Sequence, residues 1–171
     1  MNLKQFNLFV LQPTLSDLGM DGIAATRLML GTLAHESKGE SLDQITGPND
    51  TTLGPAYGFF QIEPATHDDL YKNFLIYRSD LMAKILDYRA RNPTPYVQLA
   101  TNLVYTTAIA RLIYYRQPNA LPDADDIQGL AKYWKDHYNT ASGKGTEAAW
   151  LYDYYNKALP ALKAINKEGN P

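Results

Sequence analysis

Residues 34–66 constrain the fold of this chain more than any other stretch. An apolar helical pattern ends at Glu36, a run rich in Gly, Pro, Asp, Asn and Thr follows at 39–56, and a short apolar run occupies 57–62. The middle run has the composition of turns and not of helices. The last run alternates its side chains with a period of two, which predicts a strand. We therefore expect a small β-hairpin or irregular sheet directly after a helix.

Helical patterns dominate the rest of the chain. Asp21 is a suitable N-cap for a helix to about Ser37, and the small residues within that helix indicate a central, closely packed position. Pro64 opens another helix, and the longest helix is predicted from Tyr96 to about Arg116. Six to eight helices with one small β element give a predominantly α-helical α+β fold.

Composition bounds the class of protein. The 171 residues, 45% apolar and 20% charged, predict one globular domain over 1–171. A net charge of -2 provides no basic surface for nucleic acid. No apolar run reaches the length of a membrane span, so we expect no transmembrane segment. The apolar N-terminal start is interrupted by Asn7 and Gln12 and lacks a small-residue cleavage site, so we expect no signal peptide.

Glu36 is the candidate for acid catalysis. A carboxylate at a helix C-terminus meets the negative end of the helix dipole, which raises its pKa, as does an apolar wall. A raised pKa suits a general acid, although Lys38 acts in the opposite direction. A solvated Glu at a helix end is the competing interpretation. The run at 57–62 favours catalysis, because it brings Gln61 back to Glu36.

Three pieces of sequence resemble a known family. They are Glu36-Ser37 at a helix end, Gly-Phe-Phe-Gln-Ile at 58–62 followed by Pro-Ala-Thr at 64–66, and Tyr138-Asn139 near the end of a later helix. In this order the chain resembles the lysozyme-like superfamily, and most closely its soluble lytic transglycosylase branch with the phage relatives. The resemblance spans about residues 25–145. Two Phe replace the family's Leu-Met, Glu63 adds a charge, and Gly143 comes later than the family's glycine.

The resemblance implies a lysozyme-like fold with a small β-hairpin beside an active-site groove, and cleavage of the MurNAc–GlcNAc β-1,4 bond of peptidoglycan. Glu36 would donate a proton to the glycosidic oxygen. The ionised carboxylate would then take the proton of the 6-hydroxyl, which gives a 1,6-anhydro product. This chemistry needs one enzyme carboxylate and no cofactor, and the three His show no ligand spacing for a metal.

Further site residues follow from the same resemblance. Supporting roles are expected for Ser37, Gln61 and Tyr138, and substrate-binding roles for Tyr57, Gly58, Phe59, Phe60 and Asn139. Each has a structural alternative. Ser37 could serve as a helix-end hydroxyl, Gln61 could pair with backbone, and Tyr138 could pack in the core with Trp134. Asn139 could cap a helix, and one face of the 57–62 run must lie in the core.

A second carboxylate would change the reaction. Asp43, Asp50 and Glu63 are the candidates, and one of them facing Glu36 would allow water to be activated for hydrolysis. Turn formation explains the two Asp without any function. Glu63 could instead stabilise the N-terminus of the following helix. A hydrolytic muramidase on the same fold is therefore the second hypothesis.

The expected partners are peptidoglycan glycan strands and other phage virion proteins. By analogy with the phage relatives, we expect a virion-associated protein acting in the host periplasm and cell wall. The alternative is an endolysin that waits in the host cytoplasm for a separate hole-forming partner. The third hypothesis is a non-catalytic virion or glycan-binding module.

Overall fold

The computed structural model describes residues 1–44, 54–139 and 143–168, the last four by their backbone alone. Its α-helices, in chain order, are α1 (Leu3–Phe6), α2 (Gln12–Leu18), α3 (Ile23–Glu36), α4 (Pro64–Asn73), α5 (Ser79–Tyr88), α6 (Pro95–Thr101), α7 (Leu103–Tyr115), α8 (Ile127–Trp134), α9 (Glu147–Asp153) and α10 (Leu159–Glu168). Three π-helical segments, Asn7–Leu11, Lys135–Asn139 and Tyr154–Ala158, extend or join them, and a 3-10 turn covers Leu75–Tyr77.

The π-helical segments make several helices continuous. Residues 3–18, 127–139 and 147–168 each form one uninterrupted rod, so the described ranges contain eight helical rods. The predicted helix from Tyr96 to Arg116 is wrong in one respect, because it is divided at Asn102. The Asn102 side chain accepts a hydrogen bond from the Tyr105 backbone N–H at 3.0 Å and so caps a new helix, α7.

The predicted α+β fold with a β-hairpin is wrong, since the described residues contain no β-strand. Tyr57 and Ile62 exchange two backbone hydrogen bonds of 3.0 Å across a tight four-residue loop. Within this loop Gly58 has φ 73° and Gln61 has φ 48°. These left-handed conformations reverse the chain, whereas a strand needs extended backbone throughout. Tyr57 makes one further isolated bridge, to Asp43.

Helix α3 forms the centre of the core, as its small residues predicted. Its residues from Leu28 to Ala34 are all buried. A Cβ added at Gly31 would lie 2.1 Å from Cζ2 of Trp150, so α3 and α9 approach closely only because residue 31 is Gly. The helix packs against α8, α9 and the π-helical segment Tyr154–Ala158. Its C-terminal residue, Glu36, therefore belongs to a closely packed, largely buried helix.

The loop at 57–62 is fixed against the same core. Phe60 and Ile62 are fully buried. A Cβ added at Gly58 would lie 1.9 Å from the Leu99 carbonyl oxygen, so the loop rests directly on the backbone of α6. This contact determines where Gln61 lies. None of the helices in the described ranges is long and apolar enough to cross a membrane.

We expect Gly58→Ala to destabilise the fold much more than Gly19→Ala. Both glycines have left-handed backbone, at φ 73° and φ 65°, so each alanine pays about 1–2 kcal/mol of strain. Nothing lies within 4 Å of a Cβ at Gly19, whereas Gly58 meets backbone. The forced shift should add a further ~1–3 kcal/mol. Urea denaturation of the two variants measures the difference, and equal losses of stability would contradict the packing argument.

Candidate active site

Glu36 ends α3 at a sharply terminated helix. Lys38 and Gly39 follow with φ values of 58° and 70°, which turn the chain out of the helix. Ser37 is buried, and its hydroxyl donates to the Leu33 carbonyl at 3.3 Å and accepts from the Gly39 backbone N–H at 3.1 Å. The Ser37 hydroxyl is thus engaged with the helix end.

The Glu36 carboxyl group has one neutral hydrogen-bond partner. The indole Nε1–H of Trp134, at the end of α8, donates to Glu36 Oε1 at 2.9 Å. Burial raises the pKa of Glu36 from an ordinary 4.5 to about 7, while the Trp134 hydrogen bond and the Lys38 charge act to lower it. Desolvation wins because one neutral donor replaces only part of the lost hydration. The carboxyl group therefore exchanges its proton near neutral pH.

Two tyrosines complete the wall beside Glu36. Tyr114 and Tyr138 stack with ring centroids 5.2 Å apart and an interplanar angle of 28°. Burial, and then the negative charge of Glu36, raise the pKa of the Tyr138 hydroxyl. The Tyr138 hydroxyl donates to the Phe60 carbonyl at 2.6 Å. Tyr138 therefore lies close to Glu36, but its hydroxyl group donates to the loop at 57–62 and not to the Glu36 carboxyl group.

Gln61 lines the same groove as Glu36. Its side-chain amide donates to the Gly58 carbonyl at 2.8 Å, which fits the backbone-paired alternative. Its carbonyl oxygen has no such partner among the described residues. Gln61 and Lys38 are the non-glycine residues with positive φ in the described ranges, and both line this groove. Strained backbone of this kind concentrates at functional sites.

The groove has a volume of about 610 Å³. Its walls are formed mainly by polar side chains from the end of α3, the following loop, the 57–62 loop and the end of the α8 rod. Its charged and amide-bearing lining residues, with one tyrosine, include Glu36, Lys38, Asp43, Gln61, Glu63, Tyr138, Asn139 and Lys144. The structure thus brings Glu36, Ser37, Gln61, Tyr138 and Asn139 together around one opening, as the sequence predicted.

The other predicted substrate-binding residues do not line this groove. Phe60 is fully buried, and its ring packs 6.2 Å from that of Phe6. Gly58 is buried against α6, while Tyr57 and Phe59 pack partly buried against the core. These four residues form the base of the loop. Their contribution is to hold Gln61 and the Phe60 carbonyl in place.

Part of the rim of the groove, formed by Asn139, Gly143, Lys144 and Gly145, is held together by contacts of Asn139. Its Oδ1 accepts a hydrogen bond from Lys135 Nζ at 2.8 Å, and Lys135 Nζ also donates to the Gly143 carbonyl at 2.9 Å. A Cβ at Gly143 would lie 2.2 Å from the Asn139 carbonyl oxygen. The later glycine of this chain therefore packs directly on Asn139. Lys144 and Gly145 continue the rim.

Two of the three candidate second carboxylates lie in the groove. Asp43 accepts a hydrogen bond from the Gly54 backbone N–H at 3.2 Å, a bond typical of loop structure. Glu63 is exposed, and although it precedes α4 its side chain makes no capping hydrogen bond. Asp50 lies outside the described residues. The hydrolytic alternative therefore rests on Asp43 and Glu63.

Sequence reasoning missed the partners that set the Glu36 environment. Trp134 was assigned to the core, and Asp153 and His35 received no role. The available signal was the four-residue spacing of Trp134 and Tyr138, which puts both on one face of a helix. Asp153 gave no local signal, because its partners lie more than 110 residues earlier in the chain.

No cluster of three His, Asp or Glu side chains suited to a metal ion occurs within the described ranges. Comparison of the chain with protein-family models, curated proteins and solved structures gives no match. The candidate site is therefore interpreted from its own geometry and from the motifs in its sequence.

We expect Glu36→Gln to stabilise the fold in a pH-dependent way. The unfolded chain releases the Glu36 proton near pH 4.5 and the folded chain near pH 7, so wild-type stability falls as the pH rises through this window and stays lower above it. The variant should match wild type at pH 4 and exceed its free energy of unfolding by about 1–3 kcal/mol at pH 8.

Urea denaturation at both pH values measures this difference. The matched Glu63→Gln variant controls for the removal of one negative charge from the groove. A stability gain of Glu36→Gln that is the same at pH 4 and pH 8 would contradict a buried carboxyl group with a raised pKa.

Proposed function

We propose that this protein is a lytic transglycosylase that cleaves the MurNAc–GlcNAc β-1,4 bond of peptidoglycan, with Glu36 as the catalytic acid and base. The observation that carries the proposal is the place of Glu36, half-buried at a helix end beside an open groove, where burial raises the pKa of its carboxyl group to about 7. Such a group is protonated often enough to act as an acid and ionised often enough to act as a base at neutral pH.

The proposed reaction uses Glu36 twice. Its proton goes to the glycosidic oxygen as the bond to the anomeric carbon breaks, and the leaving sugar departs with a new hydroxyl group. The Glu36 carboxylate then accepts the proton of the 6-hydroxyl as that oxygen bonds to the anomeric carbon. The product carries a 1,6-anhydro ring, and the Glu36 proton is restored without consumption of water.

The surroundings of Glu36 support this dual role. Trp134 donates one hydrogen bond, which orients the carboxyl group without supplying a positive charge. The wall formed by Tyr114 and Tyr138 excludes water from one side. The polar rim with Gln61 and Asn139 offers amide groups to sugar hydroxyl and N-acetyl groups. The family resemblance of the sequence motifs supports the same substrate.

A hydrolytic muramidase is the second candidate, and Asp43 and Glu63 favour it because both line the groove with Glu36. Action in a phage virion on the host cell wall, or as an endolysin, and assembly with other virion proteins remain proposals from the resemblance. A non-catalytic glycan-binding module would have no use for the raised pKa of Glu36.

We expect Glu36→Gln to abolish cleavage of purified peptidoglycan while leaving a folded protein. The amide keeps the size of the side chain and can accept the Trp134 hydrogen bond, but it cannot supply a proton. Mass spectrometry of the digest by wild type should show 1,6-anhydro ends. Reducing ends that disappear in Asp43→Asn or Glu63→Gln would establish the hydrolase instead. Activity of Glu36→Gln near wild type would overturn the catalytic assignment.

We expect Gln61→Ala to lower the rate of cleavage and to keep a cooperative thermal melt. The change removes one amide–carbonyl hydrogen bond within the loop, a loss of about 0.5–1.5 kcal/mol, which the buried Phe60 and Ile62 beside it can sustain. Melting curves and a peptidoglycan digest check the two expectations. Loss of the cooperative melt would assign Gln61 a structural role.

A further inference from the structure

Asp153 joins the residues on both sides of Glu36. It ends α9, and only 5% of its surface is exposed. Its Oδ2 accepts hydrogen bonds from His35 Nδ1 at 2.8 Å and from Lys38 Nζ. Lys38 Nζ also donates to the His35 carbonyl at 3.2 Å. One buried carboxylate thus holds the residue before Glu36 and the residue two positions after it.

Lys38 is the cation whose charge acts on Glu36. Both residues line the groove, and the Lys38 charge lowers the pKa of Glu36. The Lys38 side chain is 42% exposed, and among the described residues its ammonium group is held by Asp153 and the His35 carbonyl.

Two acidic residues, Glu36 and Glu40, lie on the same segment as Lys38. Because Glu40 already accepts a hydrogen bond from Lys157 at 3.1 Å, Glu36 is the acidic group left for an ammonium group freed from Asp153. An ion pair between Lys38 and Glu36 would stabilise the ionised form of Glu36, which cannot donate a proton.

We propose that Asp153 is a positioning residue that holds Lys38 in an ion pair with itself and thereby keeps Lys38 from pairing with Glu36. This inference rests on the proposed role of Glu36 as the catalytic acid. It explains why a carboxylate is buried next to the site without facing the groove. Lys38 makes its contact with Asp153 of α9 from a backbone position in the left-handed region, where strain is found at functional sites.

Within the described ranges, the groups that α7, α8 and the following π-helical segment place beside Glu36 carry no positive charge that could replace that of Lys38. Other charged groups lie on the rim of the groove. Trp134 of α8 is a neutral donor, and Tyr114 of α7 and Tyr138 have hydroxyl pKa values that burial raises. Burial lowers the pKa of His35, whose ring meets Trp134 edge-on at 4.6 Å. The rim adds the charges of Asp43, Glu63 and Lys144, and also that of Lys135, which donates to Asn139 and to the Gly143 carbonyl.

The test compares Asp153→Asn, Lys38→Met and the double variant by NMR titration of the Glu36 carboxyl carbon. Asp153→Asn should lower the Glu36 pKa by about one unit, because a freed cation within ion-pair distance shifts a carboxyl group by that order. The basic limb of the pH–activity profile should move by the same amount. Lys38→Met should raise the Glu36 pKa, and the double variant should return it to the value of Lys38→Met.

A purely structural Asp153 gives a different pattern. Asp153→Asn would then lower the melting temperature and leave the Glu36 pKa unchanged, which overturns the proposal. A double variant that keeps the lowered pKa of Asp153→Asn overturns it as well.

A measurement on the wild-type chain serves if Asp153→Asn does not fold. The ¹⁵N shift of Lys38 Nζ, followed from pH 5 to pH 9, should change only slightly as Glu36 ionises, because Lys38 keeps its contact with Asp153. A large change of that shift at the Glu36 pKa, comparable to the change that a direct ion pair produces, shows that Lys38 pairs with Glu36 and overturns the proposal. These titrations need no substrate, so their outcome is separate from that of the peptidoglycan digest. Expected titrations without cleavage would leave Asp153 positioning Lys38 and would refute the transglycosylase.

Discussion

The hydrogen bond from Trp134 to Glu36 joins a fully buried core side chain to the carboxyl group that lines the groove. It joins the end of α3 to the end of α8, and it is the only hydrogen bond to the Glu36 side chain in the described structure. A charged donor in its place would hold the carboxyl group ionised, and an apolar side chain would leave it without orientation. An indole N–H orients the group while burial still dominates its proton affinity. The remaining packing fixes the ends of α3 and α8 relative to each other.

The fixed position of these two helix ends has a simple physical basis. Helix α3 is buried around most of its circumference, so it can neither rotate nor slide without opening voids. The α8 rod is tied to the 57–62 loop through the Tyr138 hydroxyl and to its own rim through Lys135 and Asn139. The site therefore stands on packed helix ends, and the loops contribute mainly Gln61 and the rim. Rigid elements of this kind hold side chains more accurately than loops do.

Periodicity is a local signal, and it allowed most of the helices and the central position of α3 to be predicted. The grouping of Glu36, Gln61, Tyr138 and Asn139 was expected from the family resemblance of their motifs, because these residues are distant in sequence. The sequence misled at 57–62, where the alternation of apolar residues is shared by a strand and by a tight loop that buries Phe60 and Ile62. Only the backbone angles of Gly58 and Gln61 separate the two. Asp153 was beyond local reasoning, because its partners are distant in sequence and its meaning depends on how α9 packs on α3.

The close approach of Gly31 to Trp150 has an evolutionary consequence. The indole ring occupies the space that any larger side chain at position 31 would need, so the two positions can change only together. Trp150 also stacks on Tyr154 at 5.3 Å, and Asp153 lies between these two in the chain. Substitutions at position 31 or 150 would therefore displace α9 and, with it, Asp153. Substitutions at this interior contact can therefore alter the acidity of the groove, although Gly31 and Trp150 are themselves buried.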